Sequence, residues 1–175
     1  HGIVPTSSTT AQLALGDALA ISLMVKKKFG KLDFKKYHPS GDLGKKLRTV
    51  EDLMLTGSKV PFINENAKIE KVIKLINQKK LGVVIARNKK LETCGIFTDG
   101  DIKRTIQLHK KLQNKPLKSY MTRNPISIDK DMLAENALGI MNERKVTSIC
   151  VHKNLNKKKT IGILHIHHLI NADIS

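Results

Sequence analysis

Gly95-Ile96-Phe97-Thr98-Asp99-Gly100-Asp101 and Gly162-Ile163-Leu164-His165-Ile166-His167-His168 decide the fold, because each opens the same way at the end of an apolar run. The two leading glycines are 67 residues apart, and so are Leu53-Met54 and Tyr120-Met121. Between these markers Ile63, Glu70, Asn77 and Lys80 find their like at Ile128, Glu135, Asn142 and Lys145, 65 residues on. From Val50 onward the chain therefore reads as one unit of about 65 residues written twice. The two-residue difference belongs to loops, where length changes are tolerated.

Each unit has the same order of elements. The spacing predicts a short strand at 60–63 and again at 126–128. A helix follows, with Ile69, Val72, Ile73 and Ile76, or Ala134, Ala137, Leu138 and Met141, on one face. Two strands come next, at 82–86 and 93–97, then at 147–151 and 160–164, and a second helix closes each unit. This βαββα duplication is an α/β arrangement in which two units bury their sheets together. Its bounds are 50–112 and 113–175.

Upstream the character changes. Residues 9–28 read as a helix in which only Gln12, Gly16, Asp17 and Ser22 interrupt the apolar run from Ala11 to Val25. A helix apolar nearly all round needs burial on most sides. The expectation is the end of a domain whose sheet lies before residue 1. Residues 31–49, with Pro39, Gly41 and Gly44, read as a polar connector with turn chemistry. No apolar stretch is expected to reach the length of a bilayer span, and no signal-peptide pattern opens the chain, so no membrane partner is expected.

The net charge of +17 invites a nucleic-acid reading. Against it, 27 of the 32 basic residues are Lys, spread through every segment, and there is no Trp to stack on bases. A solvated basic surface, with no nucleic-acid partner, is the expectation. Cys94 and Cys150 lie in strand-like runs without ligand spacing, as buried core thiols of a reducing compartment, the cytoplasm.

The pattern glycine-hydrophobic-hydrophobic-Thr-x-x-Asp at Gly95–Asp101 is similar to the nucleotide-binding signature of CBS modules, and the repeat resembles their tandem, Bateman-type pair. VPTSSTTAQLALGDALAISLM (4–24), YHPSGDLGKKL (37–47) and VEDLM (50–54) resemble the junction in D-arabinose 5-phosphate isomerases, which join a SIS (sugar isomerase) domain to a CBS pair. The resemblance implies that 1–30 is the C-terminal end of a SIS domain and 31–49 a linker. It implies a parent enzyme interconverting D-ribulose 5-phosphate and D-arabinose 5-phosphate through an enediol, for Kdo and lipopolysaccharide synthesis, with no cofactor. It further implies an adenine nucleotide or cytidine-activated Kdo at the CBS pair, a sugar phosphate as the parent's substrate, and a homodimer or homotetramer. His38 matches the family's catalytic histidine; the other catalytic groups belong upstream, so this chain alone is expected to be inactive. The alternative is a stand-alone adaptor whose CBS pair drives assembly without a small ligand.

The candidate site residues follow. Ser7, Ser8, Thr9 and Thr10 open the first helix, where hydroxyls cap the backbone or meet a sugar phosphate. Thr98 opens the last helix of the first unit, and Asp101, one turn on, can accept from two ribose hydroxyls. Asp99 and Asp101 also suit a first helical turn simply as charges. Asn66 and Ser119 are placed to line the same cleft. In the second unit His165 replaces the Thr and His168 stands where the Asp belongs. That pair is expected to form a partly cationic wall facing phosphate. Without a third ligand among them, no metal site is expected.

Overall fold

Val83-Val84-Ile85-Ala86 is apolar without a break because its strand is covered on both faces. Val84 and Ala86 pack on one side with Ile69, Val72, Ile76 and Phe97, while Val83 and Ile85 pack on the other with Ile96, Cys150 and Ile163. The computed structural model describes residues 4–37, 44, 46–109, 115–153 and 158–174. It divides into two compact units, His1–Leu47 and Arg48–Ser175.

Among the described residues the larger unit holds two four-stranded sheets. In the first, β2 (Phe62–Asn64) runs parallel to β3 (Val83–Arg87), which is antiparallel to β4 (Thr93–Thr98), itself antiparallel to β5 (Thr122–Arg123). In the second, β6 (Ser127–Asp129), β7 (Ser148–His152) and β8 (Thr160–His165) repeat this order, and β1 (Leu55–Thr56) completes the edge. The edge strands are exchanged: β5, from the start of the second repeat, finishes the first sheet, and β1, from the start of the first, finishes the second.

That exchange explains the signature glycines. A Cβ on Gly95 would lie 2.7 Å from Met121 Sδ and 2.7 Å from the Thr122 carbonyl, and one on Gly162 would lie 2.6 Å from Met54 Sδ and 2.8 Å from the Leu55 carbonyl. Only glycine lets the crossing strand come so close. The two sequence markers sharing the 67-residue spacing are thus the two sides of one contact, made twice.

Helices α4 (Ile69–Lys79) and α5 (Asp99–His109) cover the outer face of the first sheet; α3 (Val50–Leu53), α6 (Ala134–Arg144) and α7 (Ile166–Ile170) cover that of the second. Between the sheets the cluster of Val60, Val83, Ile85, Ile96, Cys150 and Ile163 joins the repeats. Burial there pushes the Cys150 thiol up to about 12, an inert core thiol; Cys94 is half-buried. Thr93 Oγ1 meets Thr160 Oγ1 at 2.7 Å, so one residue meets its own counterpart where the repeats face each other. Arg87 lies 3.0 Å over the Phe62 ring and donates to the Thr160 carbonyl.

In the smaller unit α1 spans Thr6–Lys26 and α2 spans Lys31–Tyr37. No residue of α1 is buried. At 21 residues and mean hydropathy 1.3 it is long and apolar enough, by length and composition, to cross a membrane. This corrects the expectation that no stretch approaches that length; the helix extends beyond the apolar run at both ends. α2 also departs from the loop expected at 31–49. Asp33 accepts from the Gly30 N–H at 3.1 Å and pairs with Lys36 at 3.2 Å, while Phe29 contacts Phe34 and stacks on Tyr37. At the far end of that stretch Thr49 belongs to the larger unit, bridging to Leu133.

Candidate functional site

Strands β3, β4, β7 and β8 bring both repeats to one cleft of about 780 Å³, within the range of ligand pockets. The register is the same on both sides: Val83 lies opposite Thr98, and Ser148 opposite His165. The first repeat contributes Lys80, Thr98, Asp99, Asp101 and Arg104 to the lining, and the second Lys145, Ser148, His165 and His167. Lys80 and Lys145 end α4 and α6 with left-handed backbones, φ 54° and 52°. Gly82, at φ +63°, lets the chain turn into β3 beneath Asp99; a Cβ there would lie 2.8 Å from Asp99 Oδ2.

Thr98 is the last residue of β4 and the cap of α5, not its first turn. Its backbone N–H and its hydroxyl both donate to Asp101 Oδ2, at 2.9 and 2.8 Å, and its Oγ1 accepts from the Asp101 N–H at 3.2 Å. Asp101 Oδ1 pairs with Arg104. Asp101 is 7% exposed, so the carboxylate is fixed in place at the cleft wall. It keeps acceptor capacity beyond these bonds, since an ionised carboxylate offers about four lone-pair sites.

His165 and His168 rebuild this arrangement with imidazole nitrogens. The His165 N–H donates to His168 Nδ1 at 3.4 Å, and His165 Nδ1 accepts from the His167 N–H at 3.2 Å. Burial, then the neighbouring imidazoles, holds both rings below the usual imidazole range. A ring nitrogen that accepts carries no proton, so these bonds are made by neutral imidazoles where a partly cationic wall was expected. His168 is turned to this capping and does not line the cleft. Its positive counterparts are Lys80, Arg104 and Lys145, which sequence reasoning left out of the site although Lys80 and Lys145 were markers of the repeat. Ser148 was missed too.

Asn66 and Ser119 do not line the cleft. Asn66 sits in the turn before α4 and Ser119 in the 3-10 turn Leu117–Ser119. The Leu117 N–H donates to the Ala67 carbonyl and the Lys118 N–H to the Glu65 carbonyl, so these segments close the first repeat's core around buried Leu117. Ser7, Ser8 and Thr9 lie within the first turn of α1, whose N-cap is Pro5 without a side-chain cap bond. Thr9 and Thr10 donate back to the carbonyls of Pro5 and Thr6, in place of the expected capping. His38 lies outside the described residues. Among the described residues no group of three or more His, Cys, Asp or Glu is placed to hold a metal.

The family model for the CBS domain matches residues 50–108 and 117–175. Over 174 residues, 98% of the chain, it is 40% identical to the arabinose 5-phosphate isomerase KdsD of Francisella tularensis subsp. tularensis. It is 36% identical over 174 residues, 99% of the chain, to that of Salmonella typhimurium. The chain spans about half the length of these relatives, 52% of each. Among solved structures, CBSX2 in complex with AMP superposes with a TM-score of 0.61 at 21% identity, covering 71% of this chain and 95% of the other, a likeness of fold.

Proposed function

The chain belongs to the CBS domain family, and from that premise we propose that it is the ligand-sensing regulatory portion of a D-arabinose 5-phosphate isomerase. In this reading residues 1–30 end the SIS domain, 31–49 link it to the repeats, and the repeats occupy 50–112 and 113–175. The parent, a cytoplasmic homodimer or homotetramer, interconverts D-ribulose 5-phosphate and D-arabinose 5-phosphate. His38 serves its acid–base chemistry, and Ser7, Ser8 and Thr9 lie near the substrate's phosphate. The likeness to the isomerases along 99% of the chain supports this assignment. α1, apolar and with no residue buried, fits a helix that the rest of such a domain covers.

The observation that carries the sensor reading is the cleft, where a carboxylate fixed by Thr98 and Arg104 stands among Lys80, Arg104 and Lys145. A ribose diol is held by Asp101, and the cations receive phosphate. The bound AMP of CBSX2 supports a nucleotide, and cytidine-activated Kdo, a downstream product of the parent's reaction, is the feedback candidate. Thermal-shift scans of the chain with adenine and cytidine nucleotides and activated Kdo test this. A ligand at a hundred times its Kd adds about 2.7 kcal/mol, a rise of roughly 5–10 °C for a domain of this size. Asp101→Ala is expected to abolish most of that rise. No rise with any ligand, or an equal rise in the variant, overturns the sensor and leaves the adaptor.

A further inference from the structure

Both halves of the cleft carry donors, and they differ in their carboxylates. The first repeat lines it with two carboxylates, Asp99 and Asp101. The equivalent positions of the second repeat are Ile166 and His168, and that repeat adds no acidic residue to the lining among the described residues. This half offers donors. Because His165 Nδ1 accepts the His167 N–H, the ring proton sits on Nε2 and leaves that atom a donor. Ser148 stands directly opposite His165 in the β7–β8 register, so both side chains leave the sheet on one face. Its Oγ is buried and has no hydrogen-bond partner among the described residues. The first repeat has Val83 at that position, so the hydroxyl is not part of the shared framework. A buried hydroxyl is costly to leave unpaired, and an acceptor from a ligand would satisfy it. Lys145 adds a positive charge, and among the described lining residues of this repeat none is a carboxylate.

We propose that the cleft takes one ligand per chain, lying across both repeats, with its vicinal diol against Asp101 and an anionic oxygen, of phosphate or carboxylate, against Ser148 Oγ, His165 Nε2 and Lys145. This rests on reading the cleft as a nucleotide site and adds the ligand's direction and stoichiometry. The anion favours the second half because Asp99 and Asp101 offset Lys80 and Arg104 in the first, whereas among the described lining residues of the second Lys145 has no carboxylate to offset it.

Calorimetric titration of the 175-residue chain with adenosine and cytidine, their 5′-monophosphates and their 5′-carboxylates tests the proposal. One equivalent is expected, with an anionic form at least tenfold tighter than its nucleoside; which anion gives the gain identifies its source. Ser148→Ala is expected to cost that anion about tenfold and the nucleoside less than twofold. Lys145→Asn, which keeps a residue tolerant of the left-handed backbone, is expected to do the same. Two equivalents per chain, or equal losses for nucleoside and anion, overturn the proposal while nucleotide sensing stands. Binding of none of the six compounds overturns the proposal, and failure of activated Kdo to bind as well overturns both.

Discussion

A single hydrogen-to-methyl change separates a glycine the fold requires from one it merely contains. Gly162→Ala places a Cβ 2.6 Å from Met54 Sδ and 2.8 Å from the Leu55 carbonyl. The sulfur can move, but the carbonyl belongs to the β1 edge and cannot retreat without loosening its pairing with β8. The expected loss is about 1–3 kcal/mol, read as a melting temperature lower by roughly 2–12 °C. Gly139, in the middle of α6, has nothing within 4 Å of the corresponding position. Gly139→Ala should therefore stabilise by about 1 kcal/mol through helix propensity. Calorimetric melts of both variants check the pair, and a neutral Gly162→Ala would show that the strand exchange is looser than its geometry. The glycine positions were legible in the sequence; their reason was not, because it depends on a strand arriving from the other repeat.

At the scale of elements, one cap is used three times. Asp52 Oδ2 accepts the Thr49 N–H at 2.6 Å and the Thr49 hydroxyl at 2.9 Å before α3, as Asp101 does for Thr98 before α5. Before α7 the His165 N–H likewise reaches the side chain three residues on, His168, while the His165 ring accepts from the His167 N–H, and an imidazole nitrogen accepts only when it carries no proton. Burial lowers both rings from the ordinary 6.5, so the unfolded chain binds protons that the folded chain refuses. Stability contributed by the pair is fully present above about pH 6.5 and is lost as pH falls through the lowered values. Chemical denaturation between pH 7.5 and 5.5 should show the midpoint falling. His168→Asn, whose amide oxygen accepts at any pH, should flatten the fall, and an unchanged slope would remove His168 as its cause. The periodicity of apolar residues revealed the longer strands, with ends at most one residue off, and the buried faces of both amphipathic helices. It did not reveal β1 and β5, each two residues long, because pairing with a distant partner, not local pattern, makes them strands. Nor did the junction's polar composition reveal α2, which an aromatic cluster and Asp33 hold together.

For the larger unit as a whole, the exchanged edges mean that neither repeat contains its own sheet. Residues 48–109 lack β5, and with it Met121 against Gly95; residues 115–175 lack β1, and with it Met54 against Gly162. Each half would also bare its share of the inter-sheet cluster: Val60, Val83, Ile85 and Ile96 in one, Cys150 and Ile163 in the other. Repeats of this size bury too little surface to stand alone when an apolar face and a sheet edge are both left open. Either half produced separately should therefore be unfolded or self-associated, without the sharp thermal transition of the intact pair. Mixed in equal amounts, the halves should recover that transition, because β1 and β5 can each reach the other chain's sheet without a covalent link. Circular dichroism melts of each half and of the mixture test this. A half that melts cooperatively as a monomer would mean that the repeat, not the pair, is the folding unit. The cleft would then be a meeting of two finished domains, whereas the exchanged strands make its two sides one structure.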